Sequence, residues 1–193
     1  MSKTIPTSAP VMKELTEMVL ERLDGKVNDE AAQLVLGTLA VESDFRYVRQ
    51  MGYDPIFSPI QEEETASLGG AFGYSQVEVA TARDMLTNWH RMNKLDGQHY
   101  QNFRFFLGND LVLNDNQFIM PSKVSLAYAL QERAEFSIAM CRLAYKRKPG
   151  AIPEGWEAKA EYWKQHYNTE LGAGTPGKFM AAISKHDLPG LWE

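Results

Sequence analysis

Apolar residues recur at spacings of three and four along most of the chain, the period of helices with one face turned to a core. Val11, Leu15, Met18, Val19 and Leu23 follow this spacing with acids and bases between them, and Gly25 stands where a helix C-cap is wanted. A helix is predicted over 11–24. Asn28 is placed to cap a second helix whose first turn carries Asp29 and Glu30, the charge favoured at the positive end of the helix dipole. That segment, 31–43, is apolar almost all round (Ala31, Ala32, Leu34, Val35, Leu36, Leu39, Ala40, Val41), which predicts a buried central helix ending on a charge, Glu42.

Beyond it the pattern dissolves. Residues 49–70 hold Gly52, Pro55, Pro59 and the acidic run Glu62–Glu64, and read as a loop with room for a short hairpin. A third helix starts near Glu78, with Ala82, Met85, Leu86, Trp89 and Met92 on one side. The aromatic segment Tyr100–Leu107 is compatible with a helix, whereas 111–120 mixes apolar residues with Asn114, Asp115 and Asn116 and shows no period. The longest helical pattern runs from Ser122 to Arg147, with Ala127, Leu130, Ala134, Ile138, Cys141 and Tyr145 at helical spacing. Gly155–Tyr167 reads as another helix, and Gly172, Gly174 and Pro176 mark a turn before a last one over 176–185. The expectation is a mainly α, single domain over 1–193: an N-terminal helix within 1–27, a core over 28–180, and an irregular insertion at 46–69.

Composition narrows the function. A chain of 193 residues with 44% hydrophobic and 23% charged residues can bury a sizeable core, which excludes wholesale disorder. With 20 Lys+Arg against 25 Asp+Glu, the net charge of −5 leaves no basic excess to neutralise a phosphate backbone, so no nucleic-acid partner is expected. The longest apolar run, Leu34–Val41, falls far short of a membrane span, and Met1–Pro10 lack the basic start and apolar stretch of a signal peptide. Cys141 is the single cysteine, so neither an intramolecular disulfide nor a thiolate zinc site is available; at core spacing it reads as packing rather than as a nucleophile. His90, His99, His166 and His186 show no metal-ligand spacing, and neither metal nor cofactor is expected. Lys146-Arg147-Lys148 lies at a helix end, where positive charge complements the dipole.

Two segments can carry chemistry. A carboxylate at the end of so apolar a helix sits against low-dielectric packing and near the negative dipole end, and both raise its pKa. A carboxyl kept protonated near neutrality can donate a proton to a glycosidic oxygen. Glu42 is therefore either such an acid or a solvated end to a core helix. The second segment, Gly69-Gly70-Ala71-Phe72-Gly73-Tyr74-Ser75-Gln76, has glycines dense enough for a sharp turn and for close approach of a ligand to the backbone, or for a plain turn ahead of a helix.

Together these segments resemble the lysozyme-like superfamily, and within it the soluble lytic transglycosylases that cleave peptidoglycan. Glu42-Ser43-Asp44-Phe45 matches a motif in which a helix ends in Glu-Ser before a small residue and an aromatic. Gly70-Ala71-Phe72-Gly73-Tyr74-Ser75-Gln76 followed by Val79-Ala80-Thr81 matches Gly-Ala-x-Gly-Leu-Met-Gln and its Pro-Ala-Thr-like helix start. Tyr167-Asn168 ahead of Gly172 and Gly174 matches a third, Tyr-Asn motif. Tyr74 and Ser75 replace the usual Leu-Met pair, Val79 replaces Pro, and the distance from Glu42 to Gln76, 34 positions (76 − 42), exceeds the family's gap, which puts the 46–69 insertion beside the cleft. The segment Tyr162–Thr169 is similar to lysozyme-like proteins of tailed bacteriophages, which implies delivery by a virion or during lysis, with peptidoglycan glycan strands and other virion proteins as partners.

The resemblance implies one catalytic glutamate, Glu42, that protonates the glycosidic oxygen and then deprotonates the sugar's C6 hydroxyl, closing a 1,6-anhydro ring at the MurNAc-GlcNAc bond. It further implies that Ser43, Gly73, Tyr74, Gln76, Tyr167 and Asn168 bind substrate. Ser43 and Gln76 would hydrogen-bond in the cleft, Tyr167 and Asn168 would orient the acid or an N-acetyl group, and Tyr74 would offer a face to a sugar ring, as Phe72, Tyr47, Trp163 and Tyr53 could. Two alternatives stand beside it: a hydrolytic lysozyme, which needs a second carboxylate from among Asp54, Glu62, Glu63, Glu64 and Glu78, and a non-catalytic virion or wall-binding protein that keeps the fold.

Overall fold

The structure is a computed structural model that describes residues 7–46, 71–92, 106, 113–114, 117–118, 120–168 and 172–193, and these are mainly helical. Helix α1 (Ala9–Asp24) has Pro10 in its first turn and ends on Gly25 in the left-handed region, whose N–H reaches the Glu21 carbonyl. Helix α2 (Asp29–Ser43) starts where Asn28 Oδ1 accepts the Ala31 N–H at 2.9 Å, as its sequence position suggests. Then come β1 (Ala71–Phe72), β2 (Val77–Glu78), α3 (Val79–Met92), β3 (Leu113–Asn114), β4 (Gln117–Phe118), α4 (Lys123–Glu132), α5 (Ala134–Lys146), α6 (Trp156–Trp163) and α7 (Pro176–Lys185).

The apolar α2 is the central element. Leu34, Val35, Leu36 and Leu39 are wholly buried, and each such side chain contributes about 1.5–3 kcal/mol by leaving water. It is flanked by α1, α5, α6 and α7. At Gly37 a Cβ would stand 2.4 Å from the Phe179 ring of α7, so glycine there is what lets the two helices lie so close.

Four features depart from the sequence pattern. On α1 the expected stripe is core-facing only in part: Val19 and Leu23 are buried and Leu15 packs against the core, but Val11 and Met18 are 52% and 41% exposed, and Ala9, Met12, Thr16 and Leu20 are buried in their place. Two adjacent stripes on this helix are apolar, and spacing alone does not choose between them; packing against α2 and α5 does. The helix predicted over 122–147 is broken at Arg133, whose extended backbone (φ −119°, ψ 101°) separates α4 from α5. The helix over 155–167 narrows to α6 and then widens into a π-helical turn, Lys164–Asn168. A small hairpin, β3 with β4, lies within 111–120, pairing Leu113 with Phe118 and Asn114 with Gln117. The 46–69 insertion lies outside the described residues apart from Arg46, and the 100–107 segment apart from Phe106. No helix among the described residues is long and apolar enough to cross a membrane.

Candidate active site

Glu42 stands in the last turn of α2, half-buried. The chain leaves that turn through two left-handed residues, Asp44 (φ 54°) and Phe45 (φ 53°), a costly conformation for residues other than glycine. It is held from outside. Asp44 Oδ1 accepts Lys185 Nζ at 2.6 Å and pairs with His186 Nε2 at 2.7 Å, and the fully buried Phe45 ring packs on His186 at 4.7 Å. Burial works to raise the Asp44 pKa, but the hydrogen bonds and charges of Lys185 and His186 outweigh it and hold the carboxyl below its usual value. The end of the helix, and with it Glu42, is thereby fixed in place.

The Glu42 carboxylate oxygen Oε1 accepts the indole N–H of Trp163 at 3.1 Å. Burial raises the Glu42 pKa from 4.5 to about 7, and the Trp163 bond opposes the rise without cancelling it. At neutral pH the group is therefore divided between acid and carboxylate, the condition a residue needs to give up and later recover a proton.

The glycine-rich turn forms the tip of a hairpin in which Ala71 pairs with Glu78 and Phe72 with Val77. Gly73 (φ 74°) has no room for a side chain: a Cβ would stand 2.2 Å from the Leu130 carbonyl oxygen and 2.5 Å from Ser137 Oγ. The turn is thus seated in the break between α4 and α5. Ser75 fastens it there. Its N–H donates to Ser137 Oγ at 3.0 Å, its hydroxyl donates to the Ser137 carbonyl at 2.9 Å, and the two hydroxyls meet at 2.8 Å, both side chains being fully buried. Gln76 folds back so that its Nε2 and its backbone N–H both donate to the Gly73 carbonyl, at 2.8 and 3.1 Å.

Tyr167 joins this turn to the helices. From the π-helical turn its hydroxyl donates to the Ser75 carbonyl at 2.7 Å, and its ring stacks on Tyr145 at 5.3 Å. Tyr145 in turn donates to Thr38 Oγ1 at 2.6 Å, since the Thr38 hydroxyl proton is committed to the Leu34 carbonyl at 2.8 Å. Cys141 lies in the same buried cluster, near enough to Tyr167 and Thr38 for both to act on its thiol. Burial pushes its thiol far above the usual value, so it is inert as a nucleophile, as its spacing suggests; its place beside Tyr167 is not visible from its distance along the chain. Burial of the hydroxyl end also drives the Tyr167 pKa well up, with the negative charges that Cys141 and Glu42 can carry adding to it. Tyr167 is thus a permanently neutral donor within electrostatic reach of Glu42.

Three of the residues named by sequence share one groove of about 490 Å³: Gln76, Tyr167 and Asn168, with Glu78, Arg147 and Lys148 also on its walls. Asn168 has a second role, its Oδ1 accepting Lys164 Nζ and the Gly174 N–H, both at 3.1 Å, which holds the turn ahead of α7. The others, Glu42 included, do not line it. Ser43 is buried and donates to the Leu39 carbonyl of its own helix at 2.9 Å, Gly73 is packed against α4 and α5, and Tyr74 is half-buried with its hydroxyl 3.3 Å from Thr7 Oγ1. Phe72 is core, and Tyr47 and Tyr53 lie outside the described residues. The hydrogen bonds of Tyr167 and Gln76 go to backbone carbonyls rather than to Glu42.

Sequence reading missed two partners. Sequence offers Trp163 only as a ring face, yet its N–H is what touches the acid; its spacing of four from Tyr167, one turn along a helical face, is the available signal. Ser137 has no local signal, because only the α4–α5 break brings it to Ser75. Among the described residues no group of three or more His, Cys, Asp or Glu could hold a metal ion. No family model, curated protein or solved structure matches the chain.

Proposed function

We propose that this protein is a peptidoglycan-cleaving enzyme of the lysozyme-like superfamily, acting as a lytic transglycosylase from a bacteriophage particle or during host lysis. The observation that carries the reading is Glu42: a half-buried carboxyl, titrating at about 7, at the end of an apolar helix and within electrostatic reach of a tyrosine that lines a groove. The protonated carboxyl gives its proton to the glycosidic oxygen as the C1–O bond breaks. The resulting carboxylate then takes the proton of the sugar's C6 hydroxyl while that oxygen bonds to C1, so the ring closes and no water is consumed. Glu42 ends protonated, ready for another turnover. Neutral Gln76, Tyr167 and Asn168 suit the recognition of hydroxyl and acetamido groups, since they add no competing charge beside the acid.

The test is the release of muropeptides from purified sacculi by the wild type and by Glu42→Gln, with products weighed by mass spectrometry. Loss of release by at least about a hundredfold in the variant is expected, with anhydro ends in the wild-type products. Unchanged release by Glu42→Gln refutes the catalytic assignment, and reducing ends in place of anhydro ends select a hydrolytic lysozyme, for which Glu78 on the groove wall is the described second carboxylate. One observation favours a non-catalytic, wall-binding reading: Gln76 and Tyr167 spend their hydrogen bonds on backbone carbonyls rather than on the acid. Wild-type inactivity on sacculi together with stoichiometric presence in particles supports that second reading.

A further inference from the structure

Where α2 ends, two successive residues other than glycine stand in the left-handed region, Asp44 and Phe45. An aspartate tolerates that conformation; a bulky aromatic does so only when held. Phe45 is held by two contacts. The Thr7 N–H donates to its carbonyl at 3.3 Å, and its fully buried ring packs on His186 at 4.7 Å. Glu42 lies just ahead of this pair, so a turn that relaxed would unwind the last turn of α2 and open the carboxyl to water.

Three basic side chains meet the Asp44 carboxylate. Lys185 Nζ and His186 Nε2 share Oδ1, at 2.6 and 2.7 Å, and Arg46 Nε stands 3.2 Å from Oδ2. The three are not equivalent. Lys185 and Arg46 are 54% and 49% exposed, where ion pairs contribute little, whereas His186 is 16% exposed. The one imidazole also grips both left-handed residues, Asp44 through Nε2 and Phe45 through its ring. Attraction to the negative end of the α7 dipole accounts for a basic residue at this position, but not for its contact with two residues at the end of another helix. Helix α7 backs the acid's other support as well: the fully buried Phe179 ring packs on Trp163, the donor to Glu42, at 5.5 Å.

We propose that His186 is a positioning residue for Glu42, acting through its hydrogen bond to Asp44. The bond keeps Asp44 and Phe45 in the left-handed turn, the last turn of α2 stays wound, and the Glu42 carboxyl stays desolvated beside Trp163. His186 is not on the wall of the groove that Gln76, Tyr167 and Asn168 line, so it acts on the acid and not on what the groove holds. The consequence for turnover rests on the reading of Glu42 as the catalytic acid; the hold on the carboxyl does not.

The test is a carbon-13 NMR titration of Glu42 in the full chain and four variants, with kcat and KM on soluble glycan strands beside it. His186→Leu keeps apolar bulk against Phe45 without the bond, and His186→Asn stays polar but is too short to reach Asp44. His186→Gln restores a donor at the place of Nε2, and Lys185→Ala removes the exposed partner. Burial is the main cause of the wild-type value of about 7, so water reaching the carboxyl in the Leu and Asn variants should lower it by at least about one pH unit. His186→Gln and Lys185→Ala should leave it near the wild type. The Leu and Asn variants should also lose about tenfold or more in kcat at unchanged KM, as a misplaced acid does. A Glu42 titration unmoved in both, moved as far by His186→Gln or by Lys185→Ala, or a loss that falls on KM instead of kcat, overturns the proposal. A wild type that releases no muropeptides while Glu42 titrates as expected across the variants overturns the enzymatic reading alone; one that releases them while the titration never moves overturns the positioning role alone.

Discussion

Replacing Glu42 by Gln should make the protein more stable, and only at the higher pH values. The substitution keeps the shape of the side chain and an oxygen able to accept the Trp163 N–H, but removes a charge that α2 and its neighbours desolvate. Below pH 4.5 both side chains are neutral in the folded and the unfolded chain, so the two proteins should unfold alike. Between pH 4.5 and about 7 the unfolded wild type has released the proton while the folded form still holds it. The unfolded state then binds fewer protons, and wild-type stability falls as pH rises through this window. A carboxyl raised from 4.5 to about 7 corresponds, at about 1.4 kcal/mol per tenfold change in proton affinity, to a loss of about 3 kcal/mol once pH exceeds the folded value.

The partial exposure of Glu42 lets water offset part of this, so a difference of about 2–3 kcal/mol at pH 8 is expected, or roughly 4–12 °C in Tm for a chain of this size. Urea unfolding of both proteins at pH 4, 6 and 8 measures it. Parallel stability curves, or a variant less stable than the wild type at pH 8, would refute the claim that burial of this carboxyl dominates its behaviour. The same substitution is the one expected to abolish turnover, so the acid would be retained at a cost in stability, which is the pattern of a functional rather than a structural group.

Trp163→Phe removes the donor that partly restrains Glu42, so the Glu42 pKa should climb above about 7 and any alkaline limb of activity should move with it, by about one pH unit; carbon-13 NMR of the carboxyl reads this without an activity assay, and an unmoved or lowered value refutes the assignment. Gly73→Ala should cost at least about 3 kcal/mol, because its Cβ meets the Leu130 carbonyl at 2.2 Å in a left-handed backbone, whereas Gly150→Ala, also left-handed but with open space around it, should cost only about 1 kcal/mol. Equal losses in urea unfolding would show that the turn is not seated in the α4–α5 break as described.

The parts of the fold legible in the sequence are those governed by neighbours along the chain. Asn28 caps α2 because the cap and the N–H it satisfies lie three residues apart, and Pro176 starts α7 because its fixed φ suits a first turn. The uniform apolarity of α2 likewise announced its burial, and the end of that helix announced a desolvated acid, whose pKa is raised to about 7. Three of the residues that a motif resemblance singled out, Gln76, Tyr167 and Asn168, do share one groove.

Rules that act between chain neighbours thus specify the local elements and the chemical type of the Glu42 carboxyl. Tertiary structure alone decided which stripe of α1 faces inward, where the 122–147 pattern breaks, and that Trp163, 121 positions away, is the group in contact with Glu42. It also brought Cys141 beneath Tyr167 and joined Ser137 to Ser75. The physical reason is the same in each case. Periodicity records that a face is apolar and propensity records that a segment is helical, but neither records which surface lies opposite; that is set by close packing and by the need of every buried donor and acceptor for a partner, and those partners come from elsewhere in the chain.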